Sequence, residues 1–188
     1  MAKPITNVIG FDDAPFAQAH RGDVRIVGVV CARTRLDGIV SGQVRRNGAN
    51  ATERMHQLIA QSQFARHVRA VLLKGIAVAG FNVVDIHGLS AALGIPVVVV
   101  TRRPPSMERI REALFTHTPG AARKWRLIER AGAMEPLGPL WVQRAGIEPA
   151  ATAALLRATT LHGTIPEALR LAHLIAGGVT TGCSRGRA

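Results

Sequence analysis

Cysteine is nearly absent: Cys31 and Cys183 are the only two in 188 residues. Two thiols cannot build the disulfide framework of a small secreted domain. A chain of this length buries roughly 70% of its unfolded surface and folds without such staples. The opening residues MAKPITNVIGFDD lack the apolar stretch and small-residue cleavage site of a secretory signal. No uninterrupted apolar run approaches the ~18 residues of a membrane-spanning helix. Internal repeats and low-complexity tracts are missing. These absences predict a soluble, cytoplasmic protein with a single domain over residues 1–188. The seven histidines form no HxxxH pair and the cysteines are isolated, which argues against a structural zinc. The stretch GIAVAGF (75–81) has two glycines but neither GxGxxG nor a Walker pattern.

Acidic residues are scarce as well, 12 against 24 lysines and arginines, for a net charge of +12 and a pI near 11.6. A charge of that size attracts polyanions, and nucleic acid is the leading partner class. Only three of the basic residues are lysine. Abundant Arg, Ala and Gly are also what GC-rich coding sequence produces, and the arginines are scattered. No Lys/Arg-rich amphipathic helix marks a membrane surface. Hydrophobic residues at 47% and charged residues at 19% describe a folded globular chain.

The first half reads as strands followed by helices. ITNVIGF (5–11), VRIVGVVCA (24–32) and GIVSGQVR (38–45) are strand-like, with turn chemistry at LDG (36–38) and RNG (46–48). A turn at Asp37-Gly38 predicts an antiparallel hairpin with the first strand beside it. NATERMHQLIAQSQ (50–63) has helical spacing at Met55, Leu58 and Ile59. RAVLLKG (69–75) reads as a buried strand, VVDIHGLSAALG (83–94) as a helix closed by Gly94, and PVVVVTRRPP (96–105) as a strand. Strand, helix, strand makes a right-handed βαβ unit. The second half predicts helices over 106–117, 120–132, 148–163 and 166–178, the last ended by Gly177-Gly178, with an edge strand at 138–146.

With so few acids, their positions matter. Asp12 and Asp13 end the first strand, and alternation sends one to each face. Paired carboxylates suit Mg²⁺ or Mn²⁺; Asp-Asp before Ala-Pro also reads as a solvated turn. Glu53 in the first turn of a helix, like Asp85 in its own, complements the helix macrodipole. Cys31 reads as a buried strand residue, and His87 and His173 as helix-face residues.

The segments GFDDAPF (10–16), NATERM (50–55), LLKGIAVAGFNVVDI (72–86) and RLAHLIAGG…GCSRGRA (170–188) resemble the domain-of-unknown-function 99 family, also called endonuclease dU. The resemblance spans nearly the whole chain, in order. That family is related to endonuclease V. The relationship implies a ribonuclease H-like α/β fold: a mixed five-stranded sheet, the first three strands antiparallel, the last two parallel to strand 1, flanked by helices. It also implies a metal-dependent endonuclease acting on DNA, with deaminated bases and DNA repair as the expected target and role. Asp12 and Glu53 would be metal ligands for Mg²⁺ or Mn²⁺, with Asp13 assisting. The third acid of endonuclease V-type enzymes falls where this chain has Lys74, and Cys183 stands where the family pattern implies a Glu. An ammonium ~4 Å from a carboxylate attracts it by roughly 4 kcal/mol at an effective dielectric of 20, and it repels a divalent cation. Lys74 therefore predicts weakened metal binding. Arg102 and Arg103, past the fifth strand, are candidates for phosphate contact. Three readings remain open: an active DNA endonuclease, a catalytically weakened nucleic-acid-binding homologue, and a protein–protein interaction module.

Overall fold

A computed structural model describes residues 5–184. Strands β1 (Asn7–Asp13), β2 (Asp23–Ala32) and β3 (Arg35–Arg45) form an antiparallel meander. Helix α1 (Ala51–Ala60) leads to β4 (Ala70–Leu73), which pairs parallel to β1. A small hairpin of β5 (Ala77–Val78) and β6 (Asn82–Val83) precedes α2 (Ile86–Leu93). Asp85 caps α2 by accepting from the Gly88 N–H, the preferred N-cap chemistry. Strand β7 (Val97–Thr101) is parallel to β4. After α3 (Met107–His117) and α4 (Ala121–Ala131), β8 (Glu135–Leu137) and β9 (Leu140–Ala145) form an antiparallel pair, and β9 joins the free edge of β7. Helices α5 (Pro149–Thr159) and α6 (Glu167–Thr181) follow.

The expected mixed sheet is present, with its antiparallel and parallel pairings, but it has seven strands, in the order β3-β2-β1-β4-β7-β9-β8. Of the two added strands, β9 is the edge strand read at 138–146, and β8 lies just before that segment. Their pairing uses the edge of β7, which would otherwise expose a row of backbone groups.

Apolar side chains alternate between two cores, one on each sheet face. Ile9 and Phe11 of β1 join Met55 and Ile59 of α1 and Leu89 of α2 on one face. Val8 joins Leu155 of α5 and Leu169 and Ala172 of α6 on the other. The expected turn at Asp37-Gly38 does not form, because β3 runs straight through both residues. Gly38 is there for clearance: a Cβ would sit 2.0 Å from the Phe64 ring. Gly177-Gly178 do not end α6 either; the helix continues to Thr181 and closes on Gly182 at φ 78°, a left-handed cap that glycine favours.

Cys31 is fully buried, and burial pushes its thiol up to about 11, while Cys183 is exposed. Because the thiolate is the reactive form, a maleimide should label one thiol per native chain, at Cys183, and two after denaturation. Peptide mass spectrometry checks this; rapid native labelling of Cys31 would contradict the buried β2 placement.

Candidate active site

Alternation along β1 decides what its two terminal acids do. Val8, Gly10 and Asp12 face α6, and Ile9, Phe11 and Asp13 face the α1 side. Lys74 follows β4 and, by the same alternation, points with Leu72 toward α6. His173 projects from α6 toward both. Asp12 Oδ2 lies 2.9 Å from His173 Nδ1 and 3.4 Å from Lys74 Nζ, and the two nitrogens are 3.2 Å apart. The other oxygen, Oδ1, accepts the Asp13 N–H at 3.0 Å. Asp12 is 6% exposed, so an ionised carboxylate there depends on these donors. About a third of each basic side chain stays exposed (Lys74 32%, His173 29%), toward a cavity of about 570 Å³ lined also by Phe16, Gly177 and Thr181. That volume suits a nucleotide-sized ligand.

The three groups form a closed triangle of hydrogen-bonding contacts. An ionised carboxylate only accepts, so the 2.9 Å contact with His173 uses a proton on Nδ1. When Nδ1 is bare it accepts from Lys74 instead. The geometry thus permits a proton to pass between amine and imidazole while Asp12 keeps a cationic or donating partner in either state.

Asp13 turns the other way, and its Oδ2 accepts the Ala79 N–H at 2.6 Å. Burial raises its carboxyl to about 6; the Ala79 N–H lowers it, and the charge of Asp12 raises it further. The unfolded carboxyl ionises near 3.8, so this group's contribution to stability is complete below about pH 4. It is lost as pH rises through about 6, where the folded state must hold a buried anion. Asp13→Asn, which keeps an acceptor for Ala79, should therefore stabilise the protein by roughly 1–3 kcal/mol at pH 8 and very little at pH 4. Urea melts at the two pH values test this, and an equal effect at both would contradict it.

Glu53 is not brought to this cavity. It is exposed on α1, which packs on the opposite sheet face, and it accepts from Gln57 Nε2 at 3.1 Å. It lines a separate cavity of about 640 Å³ with His56, Arg123 and Lys124. The metal pair expected of Asp12 and Glu53 is therefore not assembled, because the helix carrying Glu53 covers the other core. Among the described residues no group of three His, Cys, Asp or Glu side chains is arranged to hold a metal ion. Both Asp12 oxygens are already engaged, one by an ammonium. These residues do not fit a divalent metal.

Arg102 and Arg103 are exposed just past β7, two strands from β1 on the same sheet edge, and neither lines the cavity. A different basic groove adjoins it. The Arg46 guanidinium lies 5.4 Å from the ring centre of Phe16, a cation–π distance. Arg46 lines a neighbouring cavity of about 730 Å³ together with Arg21, Arg45, His20 and His117. Phe16 lines the acid–base cavity and Arg46 the arginine-lined one, so their contact is where the two linings meet.

His173 and this groove are what sequence reading missed. Its signal was the i, i+4, i+8 row His173, Gly177, Thr181 on α6, three residues that all line the cavity.

The mixed α/β sheet with helices on both faces has the ribonuclease H-like fold. Endonuclease V of Ciona intestinalis, solved with a 24mer DNA containing an inosine followed by a ribo-adenosine, has this fold. It aligns at TM-score 0.58 and 12% identity over 89% of this chain and 83% of its own. A protein of unknown function from Archaeoglobus fulgidus aligns at TM-score 0.86 and 29% identity, covering 93% of this chain and 98% of its own. The chain belongs to the endonuclease dU family, which it matches over residues 4–180. A UPF0215 protein of Deinococcus radiodurans is 56% identical over 183 residues, 97% of this chain and 93% of its own length.

Proposed function

We propose that this chain is a DNA-directed endonuclease whose reaction centre is the Asp12–Lys74–His173 cavity, with deaminated-base DNA as its substrate class. The observation that carries the reading is the position of that cavity. It sits beyond the carboxyl ends of β1 and β4, where ligands of open α/β sheets bind, beside a groove holding Arg21, Arg45 and Arg46. Family membership, and the inosine-containing DNA in the Ciona complex, support the substrate class.

The residues divide the work by chemistry. Arginines of the groove, with Arg102 and Arg103 further along the same edge, contact backbone phosphates and set position. The Lys74 ammonium faces the strand and stabilises developing negative charge. His173 moves a proton, oriented by Asp12. The fold implies Mg²⁺ or Mn²⁺, but the residues present do not fit it and no step is assigned to it. Pairing of Lys74 with Asp12 also favours a second reading, a binder that has lost cleavage.

Duplexes carrying one uracil or one hypoxanthine, with unmodified controls, test both readings. Strand scission is read on denaturing gels in EDTA and in Mg²⁺ or Mn²⁺, and affinity is measured across salt concentration. The expected result is binding whose log–log salt slope is about −0.9 per phosphate contact, with scission at the lesion falling about 100-fold or more in Asp12→Asn. Binding without scission establishes the second reading. A flat salt response without scission overturns both. Among the described residues no helix is long and apolar enough to cross a membrane.

A further inference from the structure

From the contact of one amine with one imidazole and one carboxylate in an open cavity, we infer that Lys74 is a covalent nucleophile toward the aldehyde of an abasic site in DNA. The inference rests on the proposed DNA-directed function and adds to it a metal-independent lyase activity. An amine captures a carbonyl only after losing a proton, and His173 Nδ1 lies 3.2 Å from Lys74 Nζ to receive it. The imidazolium so formed keeps Asp12 Oδ2 at 2.9 Å as its counter-charge. The carboxylate therefore never stands unpaired, which buried anions require. The Lys74 side chain is 32% exposed and borders a 570 Å³ space large enough for an unpaired sugar and its phosphates.

The steps balance without oxidant or reductant. The Lys74 nitrogen attacks C1′ of the ring-opened deoxyribose, a C–N bond forms, and the carbinolamine loses water to give a protonated imine. The hydroxyl departs as water with the proton held by the His173 imidazolium, and the neutral imidazole so restored takes a proton from C2′. The electron pair makes the C2′–C3′ double bond and the C3′–O bond breaks, releasing the 3′ phosphate with its strand. Water then hydrolyses the imine, returning the amine and an unsaturated aldehyde.

The test is reductive trapping. Full-length protein is incubated with a duplex containing one abasic site, in EDTA, with sodium cyanoborohydride present. The expected result is a stable protein–DNA adduct with the mass of one imine reduced by two hydrogens, mapped to the Lys74 peptide. Lys74→Arg keeps the charge and its pairing to Asp12, so it should bind the same duplex within about threefold yet lose at least nine-tenths of the adduct. A melting curve shows that the variant is folded. His173→Gln should retain binding and slow adduct formation at least tenfold. Wild-type binding without any adduct, or an adduct that persists in Lys74→Arg, overturns this inference and leaves the proposed function standing. Loss of salt-dependent DNA binding by wild type overturns both.

Discussion

Millimolar Mg²⁺ or Mn²⁺ is expected to raise the thermal midpoint of a Lys74→Asp variant by several degrees and to leave that of the wild type within about 1 °C. In the wild-type chain the Lys74 ammonium lies 3.4 Å from Asp12 Oδ2, inside any coordination sphere a cation would form there. Exchange to aspartate removes the positive charge and sets a second carboxylate beside Asp12, on the face away from Asp13. Without metal the variant should be destabilised, because the 6%-exposed Asp12 loses a counter-charge and gains a like-charged neighbour. With metal the paired carboxylates are the hard oxygen donors these cations prefer. At ten times the dissociation constant, linkage adds about 1.4 kcal/mol, or roughly 3–6 °C for a chain of this size. Differential scanning fluorimetry with and without EDTA measures it. An equal metal shift in the wild type would show that the ammonium does not exclude a cation.

Gly10→Ala should be among the most damaging single-methyl changes in the molecule. Gly10 lies in mid-strand on β1, facing α6, and a Cβ there would stand 2.7 Å from the Ala168 carbonyl carbon and 2.8 Å from the Leu169 nitrogen. Both are helix backbone atoms and cannot swing aside as a side chain would. The helix must move off the sheet, loosening Leu169, Ala172 and Ala176, all fully buried. Overpacking against backbone costs at least 1–3 kcal/mol and occasionally more. Because α6 also carries His173, the change should lower both the denaturation midpoint and any activity of the cavity. Gly75→Ala is a useful contrast: its added Cβ meets nothing within 4 Å, although its φ of 92° carries its own backbone strain. A Gly10→Ala protein with unchanged stability would mean that α6 does not pack this closely.

Much of the fold was legible because its strands are written plainly. The VVVV run of β7, the apolar run of β1 and the alternation of β3 were all read as strands, and family resemblance supplied the pairing order. The misreadings share a cause. Gly38 and the pair Gly177-Gly178 looked like punctuation, yet the first provides clearance for Phe64 and the second lies within a continuing helix. Glycine reports either backbone freedom or close approach, and one sequence does not distinguish them. For the site, Asp12 and Lys74 were found at strand ends and do meet. Glu53 was placed by analogy, and its helix lies on the far face of the sheet. His173 was read only as a helix-face residue, because its partner is 161 positions away and the row it shares with Gly177 and Thr181 does not say what that helix face meets.

The dependence of the cavity on α6 has a consequence for biosynthesis. A nascent chain halted before residue 167 already holds Asp12 and Lys74, but the sheet face bearing Val8, Val27, Val29 and Leu72 has no α6 over it. The imidazole reaches the acid only when α6 arrives. One docking event thus hides the surface that chaperones would grip and supplies the group that the proposed chemistry needs.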